Sequence, residues 1–127
     1  MTLFYIALFA VAGAFARYGQ TLAVQAVLGR AFPFATLSIN VAGSLLMGFL
    51  FFATLDRVTV DPALRTGILT GGLGAYTTFS TFSLETLNLM ENGDWGKAVL
   101  YAAGSVVLGL GAALVGAWLA RNLGASA

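Results

Sequence analysis

Histidine and cysteine are both absent from this 127-residue sequence, and only 9% of its residues are charged. Without cysteine the chain has no disulfide framework and no thiolate metal site. Without histidine it has no Ser-His-Asp relay and no imidazole to bind zinc or carry protons. A net charge of +1 leaves no electrostatic footprint for nucleic acid. Histidine- or cysteine-dependent catalysis and nucleic-acid binding are therefore excluded.

An ordinary soluble domain is about 25% charged, far above the 9% of this sequence. Its hydrophobic content is 59%. Polar breaks divide the chain into apolar stretches, and a membrane-spanning helix takes about 20 such residues. The sequence predicts an all-α membrane protein, a single domain over residues 1–127 with four transmembrane helices. The four predicted spans cover residues 2–28, 34–55, 63–90 and 95–119.

The basic residues barely distinguish the two sides of the membrane. With the N-terminus inside, the inner side holds Arg57, Arg65 and Arg121, and the outer side holds Arg30 and Lys97. Such a small difference hardly fixes an orientation. Two interpretations remain: a weakly biased single topology, or insertion in both orientations, which permits an antiparallel homodimer.

The third apolar stretch combines glycines with hydroxyl residues. Three glycines lie between residues 71 and 74, each weakening a helix by about 1 kcal/mol relative to alanine, and five hydroxyl residues follow between Thr77 and Ser83. A break here would free backbone carbonyls, which a membrane tolerates only if they are buried in protein, face water or bind a cation. The pattern predicts either an ion pathway or a tightly packed helix whose hydroxyls bond to carbonyls four residues earlier.

Uncharged side chains near this stretch are candidates for contact with an anion. Phe79 and Phe82 project to one side of a helix, and the edge of an aromatic ring is positive. Ser80 and Thr81 could add hydrogen-bond donors. Asn40, on the second span, could either tie two helices together or offer its NH₂ group to an anion. The alternative for the two phenylalanines is a lipid-facing position.

Two charged residues lie more than one helical turn from either end of the apolar stretches. Arg17 is either an interfacial anchor that snorkels or a cation at the mouth of an aqueous vestibule. Glu85 is a helix-end residue, a partner for a basic residue, or part of a permeation path. The sequence leaves these alternatives open.

The segment from Thr77 to Glu85, TTFSTFSLE, resembles the Fluc (CrcB) fluoride channel family. Two further segments agree with the family in order and spacing, GAFARY from Gly13 and TLSINVAGS from Thr36, and Tyr101 followed by Ser105 is a weaker match. The resemblance covers essentially the whole chain. It implies a multi-pass protein of the prokaryotic cytoplasmic (inner) membrane, with a broken third helix, that forms an antiparallel, dual-topology homodimer with two fluoride pores.

The resemblance also implies roles for individual residues. Phe79 and Phe82 would contact fluoride through their ring edges, and Asn40 would be the polar pore residue facing them. Ser80 and Thr81 would belong to a row of hydroxyl groups along the broken helix, and Tyr101 and Ser105 would line the pore further. Arg17 would lie in or near the vestibule, and Glu85 near the pore end.

A structural sodium ion is implied as well, held at the dimer's centre by the backbone carbonyls of Gly74 and Thr77 from both subunits. The chain departs from the family at this point. The usual pattern is Gly-Gly followed by a large apolar residue, but the sequence here is Gly74-Ala75-Tyr76. Alanine restricts a backbone that glycine leaves free, which affects the expected cation geometry.

The implied function is passive export of cytoplasmic fluoride, which lowers its toxicity and requires no enzyme chemistry. The partners are fluoride, the lipid bilayer and a second copy of the chain, with no nucleic acid. The main alternative is a proton-coupled small multidrug exporter, which needs an acidic residue within the membrane, and Glu85 is the only candidate. A structural membrane subunit without a pore is another alternative.

The even division of basic residues predicts that each loop is found on both sides of the membrane. Because the sequence holds no cysteine, Arg57→Cys and Lys97→Cys each introduce a single reactive thiol. An impermeant thiol reagent should label part of each variant from outside sealed vesicles and the remainder only after permeabilisation. Labelling of each site from one side alone would contradict dual topology.

Overall fold

The computed structural model describes residues 1–123, and within that range the chain forms helices and short connections without any β-strand. The last residues of the predicted domain, 124–127, lie outside the described range. The helices, in chain order, are α1 (Thr2–Leu28), α2 (Phe34–Asp56), α3 (Pro62–Thr66), a π-helical segment (Gly67–Leu73), α4 (Gly74–Tyr76), α5 (Phe79–Glu91) and α6 (Trp95–Asn122).

Three of these helices, α1, α2 and α6, are long and apolar enough to cross a membrane by length and composition. The chain between Pro62 and Glu91 is instead divided into four shorter helical segments. Its first segment begins where the sequence offers a helix start. Pro62 occupies the first turn, where no backbone N–H is needed, and the Asp61 carboxylate accepts a hydrogen bond from the Leu64 N–H at 3.2 Å.

Glycines allow α2 and α6 to approach each other closely. A Cβ atom added to Gly48 would lie 2.2 Å from the Ala113 carbonyl oxygen, and one added to Gly116 would lie 2.2 Å from that of Leu45. Contacts between small residues and backbone replace the hydrophobic force that helices lack in lipid. The two helices are thereby held at backbone contact distance.

The π-helical segment packs against α1 in the same manner. A Cβ atom on Gly71 would lie 2.5 Å from the Ile6 carbonyl oxygen, and one on Gly67 would lie 2.5 Å from the Tyr5 Cβ. π-Helical hydrogen bonding is rare and frequent at functional sites. The glycine-rich segment is thus fixed against α1 immediately before the chain reaches α4.

The outer surface of the helices is strongly apolar. Large hydrophobic side chains are exposed along the length of α6, among them Val99, Val107, Leu110 and Leu114, and Phe15 on α1 is 74% exposed. Apolar patches of this extent are unusual on soluble monomers and mark membrane or protein contacts. The surface and the three long helices together define a membrane protein.

Candidate functional site

The helical path is interrupted between α4 and α5. Thr77 follows α4 with φ −84° and ψ 161°, and Thr78 precedes α5 with φ −153° and ψ 118°, so both residues are extended. The N–H and the Oγ1 of Thr77 both donate to the Leu73 carbonyl at 3.0 Å, which closes α4. The Oγ1 of Thr78 accepts from the Thr81 N–H at 3.2 Å, which caps the start of α5.

Asn40 of α2 pairs with the backbone of this extended segment. Its Oδ1 accepts from the Thr78 N–H at 2.9 Å, and its Nδ2 donates to the Thr78 carbonyl at 3.1 Å. Thr78 is buried, and a buried peptide group without partners is costly. The amide side chain therefore replaces the helical hydrogen bonds that the interruption removes.

The carbonyls of Gly74 and Thr77 are among those that lose their helical donors as a result. In a continuing α-helix the Thr78 N–H would reach the Gly74 carbonyl, but it donates to Asn40 instead. The Thr81 N–H would reach the Thr77 carbonyl, but it donates to the Thr78 hydroxyl. Carbonyl oxygens released in this way are the ligands that hard cations take. The two carbonyls are those that the family resemblance implies as sodium ligands.

An uncharged pocket of about 380 Å³ opens beside the interruption. It brings together several predicted site residues from three helices and the extended pair, namely Asn40, Thr77, Phe79, Phe82 and Ser105. Within residues 1–123 the Ser105 Oγ is a buried hydroxyl with no hydrogen-bond partner in the chain. An orphaned buried hydroxyl in a pocket is a free hydrogen-bond donor for a ligand.

The two phenylalanines pack against each other at the lining of this pocket. Their ring centroids are 5.6 Å apart with an interplanar angle of 47°, a tilted arrangement. Phe82 also contacts Tyr101 of α6, with centroids 5.1 Å apart and an angle of 56°. Phe79 is 79% exposed in the isolated chain. One wall of the pocket is therefore aromatic, and its outer residue, Phe79, is left uncovered by the rest of the chain.

The hydroxyl residues after the interruption divide into two groups. The Thr81 Oγ1 accepts from the Thr78 hydroxyl at 3.0 Å, and the Ser80 hydroxyl lies 3.4 Å from the same group. Ser83 and Thr86 donate to the carbonyls four residues earlier. The first hydroxyls thus cluster at the break, and the later ones bond to carbonyls within α5, as the packed-helix interpretation describes.

The other predicted residues lie away from the pocket lining. The Tyr101 hydroxyl donates to the Glu85 Oε1 at 3.4 Å, and Tyr101 is fully buried while Glu85 is half-buried. Arg17 lies on α1, where its carbonyl accepts from the Thr21 hydroxyl at 2.8 Å. These residues therefore do not join Asn40 and Phe79 in the pocket.

The residue that sequence reasoning overlooked is Thr78. It belongs to the motif on which the resemblance is based, yet no role was assigned to it. A threonine three positions before a further hydroxyl or acid, at the start of a helical stretch, is a recognised N-cap signal. That signal marks the start of α5, whereas the pairing of Thr78 with Asn40, 38 residues earlier, has no local signature.

Apolar helices that surround an uncharged, aromatic-walled pocket at a helix interruption define a multi-pass membrane protein with a candidate ion pathway. The family model described as "CrcB-like protein, Camphor Resistance (CrcB)" matches residues 4–117. The chain belongs to the CrcB family.

Curated relatives match the chain over nearly its full length. The "Fluoride-specific ion channel FluC" of Acidithiobacillus ferrooxidans is 68% identical over 118 residues, covering 93% of this chain and 94% of the relative. Proteins of the same name from Magnetococcus marinus and Geobacter sulfurreducens are 51% and 44% identical, covering 95% and 92% of this chain and 98% and 91% of their own lengths.

Substitution of Asn40 tests the backbone pairing. Asn40→Ala leaves a buried N–H and a buried carbonyl without partners, each costing about 1–3 kcal/mol. We expect the apparent Tm in detergent to fall and the Thr78 amide to exchange faster with deuterium. Ser44→Ala, one helical turn along α2 on the same pocket, is the matched control and should leave both nearly unchanged. Equal effects of the two substitutions would contradict the pairing.

Proposed function

We propose that this protein is a passive fluoride channel that lets cytoplasmic fluoride leave the cell. The observation that carries the proposal is the match, at 68% identity over 93% of the chain, to a protein named as a fluoride-specific ion channel. HF crosses membranes as a neutral acid and dissociates in the less acidic cytoplasm, so fluoride accumulates there. A channel would release it down its electrochemical gradient, with no enzymatic step and no coupled fuel.

The pocket supports a fluoride pathway because all its lining side chains are uncharged. Conduction needs binding that is weak enough for exit, and a fixed positive charge would hold a small anion tightly. The positive ring edges of Phe79 and Phe82 offer weaker attraction. The orphaned Ser105 hydroxyl and the Nδ2 hydrogen of Asn40 that Thr78 does not use add hydrogen-bond donors.

We further propose that the pathway continues along the polar groups next to the pocket. Ser80 and Thr81 cluster with Thr78 at the start of α5. Tyr101 contacts the Phe82 ring from α6 and lies beside Glu85. Glu85 then stands near the pore end, and Arg17 near a vestibule that concentrates anions.

A structural sodium ion fits the carbonyls at the interruption. The helical donors for Gly74 and Thr77 are engaged elsewhere, so these oxygens are available as ligands. When bound, the ion would supply a positive charge that offsets the carbonyl dipoles in the membrane interior. The residues present fit the group, and Ala75 and Tyr76 lie between the two ligands in the chain.

The proposed assembly is an antiparallel homodimer in the cytoplasmic membrane, with Pro62–Glu91 as a broken third span alongside the three long helices. Phe79 is largely exposed in the isolated chain and its pocket opens on one side. A second copy would cover that side and complete two pores. The balanced basic residues are compatible with both orientations.

The proton-coupled multidrug exporter is the alternative. That mechanism requires an acidic residue at the substrate pathway. Glu85 is the acid in the third span, but it lies against the Tyr101 hydroxyl and outside the pocket lining. The pocket itself therefore offers no carboxylate to exchange protons for a cationic drug.

Fluoride efflux from reconstituted liposomes tests the proposal. The wild-type chain should release fluoride without proton coupling. Phe79→Ile and Phe82→Ile each remove a positive ring edge from the pocket, and a loss of about 1 kcal/mol of anion stabilisation corresponds to about fivefold slower efflux. Phe15→Ile, an exposed phenylalanine of α1, is the matched control and should conduct normally.

Each alternative gives a different result in the same assay. Proton exchange that depends on an added cationic drug would favour the exporter. Folded, dimeric protein that releases neither fluoride nor drug would contradict both transport functions and favour a structural subunit.

A further inference from the structure

Three polar side chains outside the pocket connect three different helices. The Tyr76 hydroxyl at the end of α4 donates to the Oε1 of Gln20 on α1. The Nε2 of Gln20 donates to the Ser38 Oγ on α2 at 3.0 Å, and the Ser38 hydroxyl donates to the Ala35 carbonyl at 2.8 Å. We call this set the Gln20 bridge: Gln20, Ser38 and Tyr76.

The direction of every hydrogen bond in the Gln20 bridge is determined. The final acceptor is a carbonyl, so the Ser38 hydroxyl must donate to it and accept from Gln20. The Gln20 amide nitrogen therefore faces Ser38, and its oxygen faces Tyr76. A flipped amide would place its oxygen against the Ser38 oxygen, whose only hydrogen is already donated to the Ala35 carbonyl. The bridge thus has a single arrangement.

The surroundings of Tyr76 are apolar. Its ring packs with Ile39, Leu69 and Leu73 in a cluster of buried side chains, and Tyr76 is only 9% exposed. A hydrogen bond in such low-dielectric surroundings is strong, and an unpaired hydroxyl there is costly. Gln20 satisfies the Tyr76 hydroxyl in this apolar cluster. A phenylalanine at the same position would need no hydrogen-bond partner.

Tyr76 is also joined directly to the interruption, because Thr77 is the next residue. Both neighbouring helices carry a glycine against this point. A Cβ on Gly13 of α1 would lie 3.2 Å from the Tyr76 nitrogen, and a Cβ on Gly43 of α2 would lie 2.1 Å from the Thr77 Cγ2 and 3.3 Å from the Tyr76 ring. The two glycines thus let α1 and α2 approach the chain closely at Tyr76 and Thr77. The hydrogen bond from the Tyr76 hydroxyl to Gln20 then fixes the orientation of α4 and its position along α1.

We propose that Gln20 is a positioning residue that acts through Tyr76 to set the conformation of the extended pair Thr77–Thr78. Asn40 holds this pair from α2, and Gln20 holds its N-terminal side from α1. The consequence for conduction rests on the proposed channel function, because the pair supplies pocket lining and a carbonyl ligand. The consequence for the backbone does not depend on it.

The experiment compares Tyr76→Phe and Gln20→Met with Tyr18→Phe, an exposed tyrosine of α1 that is 67% exposed. Each variant is purified as the full chain, and its deuterium exchange at the Thr77 and Thr78 amides is measured together with fluoride efflux from liposomes. Loss of one buried hydrogen bond should change these quantities by about three- to tenfold.

We expect faster exchange at both threonine amides and slower efflux in Tyr76→Phe and in Gln20→Met, with exchange in α6 unchanged. The double variant should be no worse than the more affected single one, because both break the same bond. Tyr18→Phe should match the wild type in every measurement.

A lower Tm with unchanged threonine exchange would overturn the proposal and leave the bridge as packing alone. Additive effects in the double variant would also overturn it, since the two side chains would then act separately. If the wild type conducts no fluoride, the proposed function fails, but the amide exchange still decides whether Gln20 positions the interruption.

Discussion

The hydrogen-bonded pairing of the Asn40 amide with the backbone of Thr78 is the interaction on which the candidate site depends. A chain that leaves helical geometry in apolar surroundings must satisfy its peptide groups with protein, water or ions. Asn40 does so with one donor and one acceptor at 3.1 and 2.9 Å. An aspartate would lack the donor and a leucine would lack both, so an amide is the natural choice.

The consequences of this pairing extend in two directions. Toward α4 it engages the Thr78 N–H that would otherwise reach the Gly74 carbonyl, and the Thr81 N–H donates to the Thr78 hydroxyl instead of the Thr77 carbonyl. Toward the pocket it redirects the chain, so that α5 begins at Phe79 and brings both phenylalanines beside Asn40 and Ser105. The same interruption therefore leaves backbone carbonyls without helical donors on one side and places two aromatic rings at an uncharged pocket on the other.

Local sequence signals predicted the parts of the fold that have local causes. Apolar length predicted α1 and α2, and proline with a capping aspartate marks the start of α3. The glycines and hydroxyls between residues 71 and 83 left open whether the helix is broken or continuous there, and the family resemblance implied a break. The extended residues, Thr77 and Thr78, lie inside this stretch.

Features set by distant contacts could not be predicted in the same way. The sequence left open whether Asn40 ties helices together or faces an anion, and the structure shows it tied to a residue 38 positions away. The bond from Tyr76 to Gln20 joins residues 56 apart and depends on how α1 and α4 pack. The π-helical segment depends likewise on contact with α1. None of these partners is determined by the neighbouring residues alone.

The most direct measurement of the central claim is the reversal potential of the current through the reconstituted protein in a planar bilayer. With fluoride and chloride gradients set in opposite directions, a passive fluoride channel should reverse near the fluoride equilibrium potential, and a pH gradient should not move that value. A reversal potential that follows the chloride gradient, or that shifts with pH, would contradict fluoride conduction through an uncharged pocket.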